Sequence, residues 1–231
     1  MPERLTFSVG ERTSTALAYH ASGGVRAQAT LVLAHGAGAP QQSAFMVDFA
    51  KGLAGRGLDV LTFNFLYTEQ GRRVPDRTEA LDACYRAAVG AARRHFGRDR
   101  VFIGGKSMGG RIATHLAAAE DAGALGIAGV VLLGYPLHPP GKPDQPRTAH
   151  LPRIRVPLLI VQGERDPFGT PVELRQALEP IASRVTLHAV EKGDHSLAPS
   201  RQAQAVASTY NELQDVIASW ISRTSEISRT S

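Results

Sequence analysis

A single cysteine and a single tryptophan stand among 231 residues, and aromatic side chains make up only 6% of the chain. The lone thiol, Cys84, cannot close an internal disulfide or supply a cysteine-rich metal cluster, so disulfide-stapled and zinc-finger scaffolds are both excluded. Long hydrophobic runs are missing too. The most apolar stretches, such as AGVVLLG at 128–134, fall far short of the roughly 18 residues that a membrane span requires. The N-terminal MPERLTFSVGERT is too polar for a secretory signal. A chain that stays out of membranes and works in a reducing cytoplasm is the expectation. Neither H-E-x-x-H nor C-x-x-C occurs, so nothing supports metal catalysis. No cofactor is expected.

Charge of one sign is also scarce. The 26 Lys+Arg exceed the 21 Asp+Glu by only five, although the pI of about 9.7 raises the question of nucleic acid. The basic residues are spread along the chain. Their densest run, RRHFGRDR at 93–100, falls where a helix ends, and cations there suit the helix dipole. A solvated face explains it, and no nucleic-acid partner is expected. Homodimerisation is left open.

What is present is an ordinary globular balance, 43% apolar and 20% charged, enough for one large domain with a well-buried core. Two alternating segments, LTFSV and STALAYH, predict a peripheral hairpin. Continuous apolar runs follow, all but the second ending in glycine: ATLVLAHG, LDVLTFNF, RVFIGG, IAGVVLLG and VPLLIVQG. Such runs mark strands buried on both faces. Between them lie helical patterns, among them PDRTEALDACYRAAVGAARRHFG, GRIATHLAAAE and the closing AQAVASTYNELQDVIASWI. This alternation predicts a three-layer α/β fold over residues 1–222: a mostly parallel sheet of seven or eight strands, with helices on both faces and ligands at the carboxyl ends of the strands. Two segments break the rhythm. Six prolines within 134–155 exclude a regular helix over most of that span and predict an ordered loop. ISRTS occurs twice, at 221–225 and 227–231, and the polar tail at 223–231 is expected to fray or to be partly non-native.

The stretch VFIGGKSMGG at 101–110 carries two motifs at once. Gly105-Lys106-Ser107 resembles the end of a phosphate loop, but G-x-x-x-x-G-K-[ST] needs glycine at position 100, where Arg100 stands, and the apolar strand leaves no room for such a loop. Gly105-Lys106-Ser107-Met108-Gly109 instead has the G-x-S-x-G spacing of a nucleophile elbow, with a strand before it and a helix pattern after it. Glycines two residues either side of Ser107 suit a turn too tight for Cβ atoms. Ser107 is therefore the candidate nucleophile.

A serine hydroxyl needs a base to take its proton and a carboxylate to orient that base. On a sheet of this kind they should follow in the order acid, then histidine, each just past a later strand. Asp166 in LLIVQGERDPFG and His195 in LHAVEKGDHSL fit, with Glu164 and Asp194 as rival acids. The candidate oxyanion donors are the N–H groups of Met108, at the start of the helix, and Ala37, between Gly36 and Gly38 in the loop after the first buried strand. In the proline-rich loop, Tyr135 and His138 are candidate substrate contacts, and His150 is a further one. The remaining histidines read as structural.

With AHGAGA, GGKSMGGR, GERDPFG and KGDHS in this order, the chain resembles the α/β-hydrolase superfamily over nearly its whole length. The run GYPLHPPGKP looks like its small bacterial branch grouped with dienelactone-hydrolase-like proteins and with the hydrolase-like domain of testis-expressed and histone-acetyltransferase-complex subunit proteins. The resemblance implies Ser107 as nucleophile, Asp166 as acid, His195 as base, and Ala37 and Met108 as oxyanion donors. Dienelactone hydrolases proper carry cysteine at the elbow, where this chain has Ser107. The expectation is a lidless serine hydrolase of the carboxylesterase kind, taking small soluble esters through an acyl-enzyme. A thioesterase or peptidase of the same mechanism, and a non-catalytic interaction module, are the alternatives.

Overall fold

The computed structural model describes residues 1–23 and 28–227. The expected hairpin is present as β1 (Glu3–Val9) and β2 (Arg12–Tyr19), paired antiparallel. The buried runs become β3 (Ala29–Ala34), β4 (Asp59–Phe63), β5 (Arg100–Lys106), β6 (Ile127–Leu133), β7 (Leu158–Gly163) and β8 (Val185–Val190). All eight form one sheet in the order β1-β2-β4-β3-β5-β6-β7-β8. β2 joins β4 antiparallel and every pairing beyond it is parallel.

Helices cover both faces because the inner strands are apolar on both. One face packs on α3 (Thr78–Phe96), α4 (Met108–Ala117) and α5 (Pro171–Ala177), through buried side chains that include Tyr85, Ile112, Leu116 and Leu174. The other packs on α1 (Ala44–Ala54) and α6 (Ala203–Ile227), through Phe49, Leu53, Leu213, Ile217 and Trp220. A short α2 (Leu66–Glu69) follows β4. The ends of α3 and α5 obey local chemistry. α3 stops at Gly97, whose φ of 62° is left-handed and whose N–H donates to Arg93 O at 2.9 Å, a glycine's role at that position. α5 starts on a capping box between Thr170 and Glu173, with Pro171 in its first turn.

Residues 134–155 contain a single 3-10 turn, Leu151–Arg153, and no lid. The loop is pinned instead, with Leu137, Leu151 and Ile154 buried in the core. α6 runs to Ile227, past the end of the helical pattern at 221, and Ser225 is buried. The remainder of the duplicated tail, 228–231, lies outside the described residues.

The elbow is the tightest part of the fold. A Cβ on Gly105 would stand 2.6 Å from Ala34 O and from the Gly109 carbonyl carbon, and one on Gly109 would stand 2.5 Å from Ala34 O and 2.6 Å from His35 O. All these neighbours are backbone, so no side chain can swing aside. Gly109→Ala is therefore expected to cost about 2–3 kcal/mol, a fall of roughly 5–10 °C in Tm for a chain this size. Gly123→Ala, where a Cβ meets nothing within 4 Å, should leave Tm nearly unchanged. Calorimetric melts of both variants check this, and equal melting points would contradict it.

Candidate active site

β5 delivers Ser107 to the carboxyl end of the sheet, and α4 begins at once with Met108. Ser107 itself adopts φ 50°, ψ −114°, a positive φ that costs a non-glycine residue about 1–3 kcal/mol and persists only where the surroundings enforce it. The strained turn lifts the hydroxyl out of the sheet into a cleft of about 590 Å³.

Two later loops reach the same hydroxyl. His195, in the loop after β8, places Nε2 2.8 Å from Ser107 Oγ. Asp166, in the loop after β7, places Oδ2 2.8 Å from His195 Nδ1. The Asp166 side chain is fully buried, while that of His195 is 23% exposed, so the chain of groups opens to solvent only at its reactive end. With Nδ1–H donating to the carboxylate, Nε2 is left to accept the serine proton. Such an arrangement can move a proton from Ser107 to His195 and stabilise the imidazolium that results.

The rival acids are occupied elsewhere. Asp194 Oδ1 accepts N–H bonds from Ser196 at 2.7 Å and Ala198 at 3.1 Å, which shapes the histidine's own loop. Glu164 accepts the Lys192 N–H at 3.0 Å. Ala37 and Met108 both line the cleft beside Ser107, and neither N–H is donated to another group among the described residues. Both are thus free to meet an oxygen in the cleft.

Tyr135 and His138 are not brought there, which corrects the expectation that they touch a substrate. Tyr135 is 1% exposed, and its hydroxyl donates to Arg147 O at 2.8 Å. The buried His138 ring sits between Pro139 O, 2.9 Å away, and Glu173 Oε1, 3.3 Å away. His150 is also turned inward, with Nε2 2.8 Å from Thr114 Oγ1 and its ring stacked on His115 at 3.9 Å.

Gln162 and Phe168 escaped the sequence reading, and His35, one of the histidines read as structural, supports the site as well. Gln162 is buried at the end of β7, where its Nε2 donates to Asp166 Oδ2 at 2.9 Å and to Gly169 O at 2.6 Å. Its Oε1 accepts the Tyr135 N–H at 2.7 Å. A lone amide closing an apolar strand was the available signal. Phe168 donates its N–H to Asp166 Oδ1 at 2.8 Å and lays its ring 4.2 Å from that of His195. His35, fully buried, accepts the Phe65 N–H on Nε2 at 3.2 Å, so Nδ1–H donates to Gly36 O at 2.8 Å. Burial pushes its pKa down to about 4, which keeps the ring neutral while it braces the loop carrying Ala37.

Lys106, immediately before the nucleophile, donates from Nζ to the backbone carbonyl of His195 and lies 5.8 Å from the centre of the Phe45 ring. Burial lowers its pKa to about 8, partly offset by the charges of Asp166 and Asp194. Burial disfavours the ammonium, so the proton leaves at lower pH than from a solvated lysine. Acylation by a small anhydride, followed by peptide mass, should show half-maximal reactivity of Lys106 near pH 8. A midpoint above 10 would contradict this environment. One set of donors among the described residues could share a cation: Glu3, His20 and His95. It lies where α3 ends and β1 begins, at the opposite end of the strands from Ser107.

Comparison with known proteins follows the same outline. Residues 27–223 match the model of a family described as an alpha/beta hydrolase domain. Among solved structures, an alpha-beta serine hydrolase homologue from Coxiella burnetii superimposes with a TM-score of 0.73 at 18% identity, covering 94% of this chain and 95% of that one. A serine hydrolase without lid from Xanthomonas campestris gives 0.72 at 17% identity, with 96% and 94% covered. The dienelactone hydrolase of Anabaena variabilis gives 0.71 at 20%, with 93% and 95% covered. At these identities the likeness is one of fold.

Proposed function

This chain belongs to the alpha/beta hydrolase family, and from that premise we propose that it cleaves small soluble carboxylic esters through an acyl-enzyme on Ser107. The observation that carries the proposal is the unbroken run of 2.8 Å contacts from Ser107 through His195 to Asp166. Ser107 Oγ attacks the ester carbonyl carbon as His195 Nε2 takes its proton. The oxyanion formed on the carbonyl oxygen meets the N–H groups of Ala37 and Met108, the second at the positive end of α4. Collapse expels the alkoxide, which takes the proton from His195 and leaves as alcohol. Water, deprotonated by the same nitrogen, then attacks the acyl-serine and releases the acid with Ser107 restored. Asp166 stays ionised throughout and holds the ring in the tautomer that accepts at Nε2.

Substrate size follows from the loop at 134–155. Large lipid esters need extended apolar cover, at about 0.8 kcal/mol per methylene buried, and this loop offers Pro136 and Arg147 to the cleft instead of an apolar helix. On p-nitrophenyl esters, kcat/KM should be highest from acetate to butyrate and should fall by eight carbons, with no rise at the micellar threshold. A maximum at long chains would overturn the small-ester reading. Thioesters and amides share the acyl-enzyme, and a matched set with oxygen, sulfur and nitrogen leaving groups separates them. A non-catalytic module is disfavoured by the serine, histidine and carboxylate meeting in an open cleft. No helix among the described residues is long and apolar enough to cross a membrane, in keeping with dissolved substrates reached from the cytoplasm.

A further inference from the structure

We propose that Arg111 and Arg147 form a carboxylate-binding subsite in the Ser107 cleft, so that the preferred ester carries a carboxylate of its own. This rests on the hydrolase reading above and names the substrate class of that site.

Both arginines line the same cleft as Ser107 and His195, and they reach it from different directions. Arg111 lies one turn into α4, its N–H donating to Ser107 O at 3.0 Å, so its side chain shares a helix face with the nucleophile. Arg147 comes from the proline-rich loop. Its backbone is fixed there, the N–H donating to Leu137 O at 2.7 Å and the carbonyl accepting the Tyr135 hydroxyl at 2.8 Å. Tyr135 thus bears on the site indirectly, by anchoring a cation at the cleft.

Neither guanidinium has an acidic partner among the described residues. Arg111 Nη1 makes one contact, 3.5 Å from His115 Nε2, and Arg147 Nη1 makes one, 3.5 Å from Pro136 O; both are at the limit of hydrogen-bonding distance. By contrast Arg56, Arg72, Arg86 and Arg98 each hold an aspartate within 2.8 Å. Arg111 and Arg147 are half-buried and close enough to repel: burial, followed by the charge of Arg147, lowers the pKa of Arg111. Two half-buried cations that share a cleft without a counterion are unfavourable, and the repulsion is relieved when an anion enters between them. The other charges at the cleft do not supply one. Asp76 is engaged by Arg72 at 2.5 Å, Asp166 is committed to His195, and Lys106 adds a third cation. A guanidinium fork matches a carboxylate in two parallel hydrogen bonds, so an acyl chain ending in carboxylate could seat its far end on the arginines while its ester carbonyl lies at Ser107.

The test has two arms. In a Ser107→Ala background, titration calorimetry with glutarate measures the subsite without turnover, and either Arg111→Gln or Arg147→Gln should weaken glutarate at least about tenfold, the order expected for a charge-assisted contact. With Ser107 intact, kcat/KM for monomethyl glutarate should exceed that for methyl butyrate by about tenfold or more, and the ratio should collapse in either variant. Should a Gln variant fail to melt cooperatively, the Lys variant at that position replaces it; it keeps the charge, loses the fork and should retain only part of the preference. Arginine-dependent glutarate binding with neither ester hydrolysed would sink the hydrolase reading and sustain the subsite. Hydrolysis of the neutral ester with no glutarate binding and a ratio at or below one would sink the subsite and sustain the hydrolase. Tighter binding of inorganic phosphate than of glutarate would overturn the carboxylate assignment.

Discussion

Ser107→Ala should fold, melt within about 2 °C of the parent protein, and lose up to about 10⁶ in kcat on any ester that the parent cleaves. The two halves of this result have separate causes. Removing one hydroxyl leaves the backbone with the same demand, since alanine carries the same Cβ into the positive φ of 50°, and the turn is enforced by the glycines around it rather than by Oγ. Catalysis has no such reserve. Among the described residues His195 Nε2 has no other nucleophile in contact, so water must attack without covalent assistance, at an expense of about 8 kcal/mol in barrier for a 10⁶-fold loss. What survives should reflect oxyanion stabilisation and binding alone. Kinetics and melts on one preparation check both halves, and near-parental turnover would remove Ser107 from the mechanism.

Asp166→Asn should lower kcat by about 10⁴ at neutral pH. The amide oxygen can take the place of Oδ1 and keep the bond from the Phe168 N–H, while the NH₂ takes the place of Oδ2 and loses the bond from Gln162 Nε2. Its NH₂ would instead donate to His195 Nδ1, which forces the proton onto Nε2 and takes away the acceptor that Ser107 needs. Asp194→Asn should be mild, because that carboxylate only ties the Ser196 and Ala198 N–H groups within its own loop. Side-by-side kcat values for the two variants decide the matter. The reverse ranking would give the orienting role to Asp194.

Sheet, helices and the meeting of the candidate serine, histidine and carboxylate are legible from the sequence because each rests on local chemistry. Apolar runs ending in glycine mark buried strands, and a serine between two glycines can be read in five residues. The order of Ser107, Asp166 and His195 follows from strands that deliver their next residues to one end of the sheet. Side-chain direction in the irregular loop was not legible. Nothing near Tyr135 or His138 reveals that the tyrosine hydroxyl serves Arg147 O, twelve residues on, or that the imidazole turns to Glu173, thirty-five residues on. Gln162 is not legible as a brace because its role joins the loop of Asp166 and Gly169 to Tyr135, twenty-seven residues back. The last turns of α6 look polar by composition, and the burial of Ser225 shows only in the fold.

The account stands most directly on Ser107 being an activated nucleophile, and a fluorophosphonate probe reports that without a known substrate. Intact mass should show one adduct per chain, with the label on the peptide that contains Ser107. Labelling should be absent in Ser107→Ala and slowed by orders of magnitude in Asp166→Asn. Folded protein that takes no label, or takes it on another residue, would contradict the account.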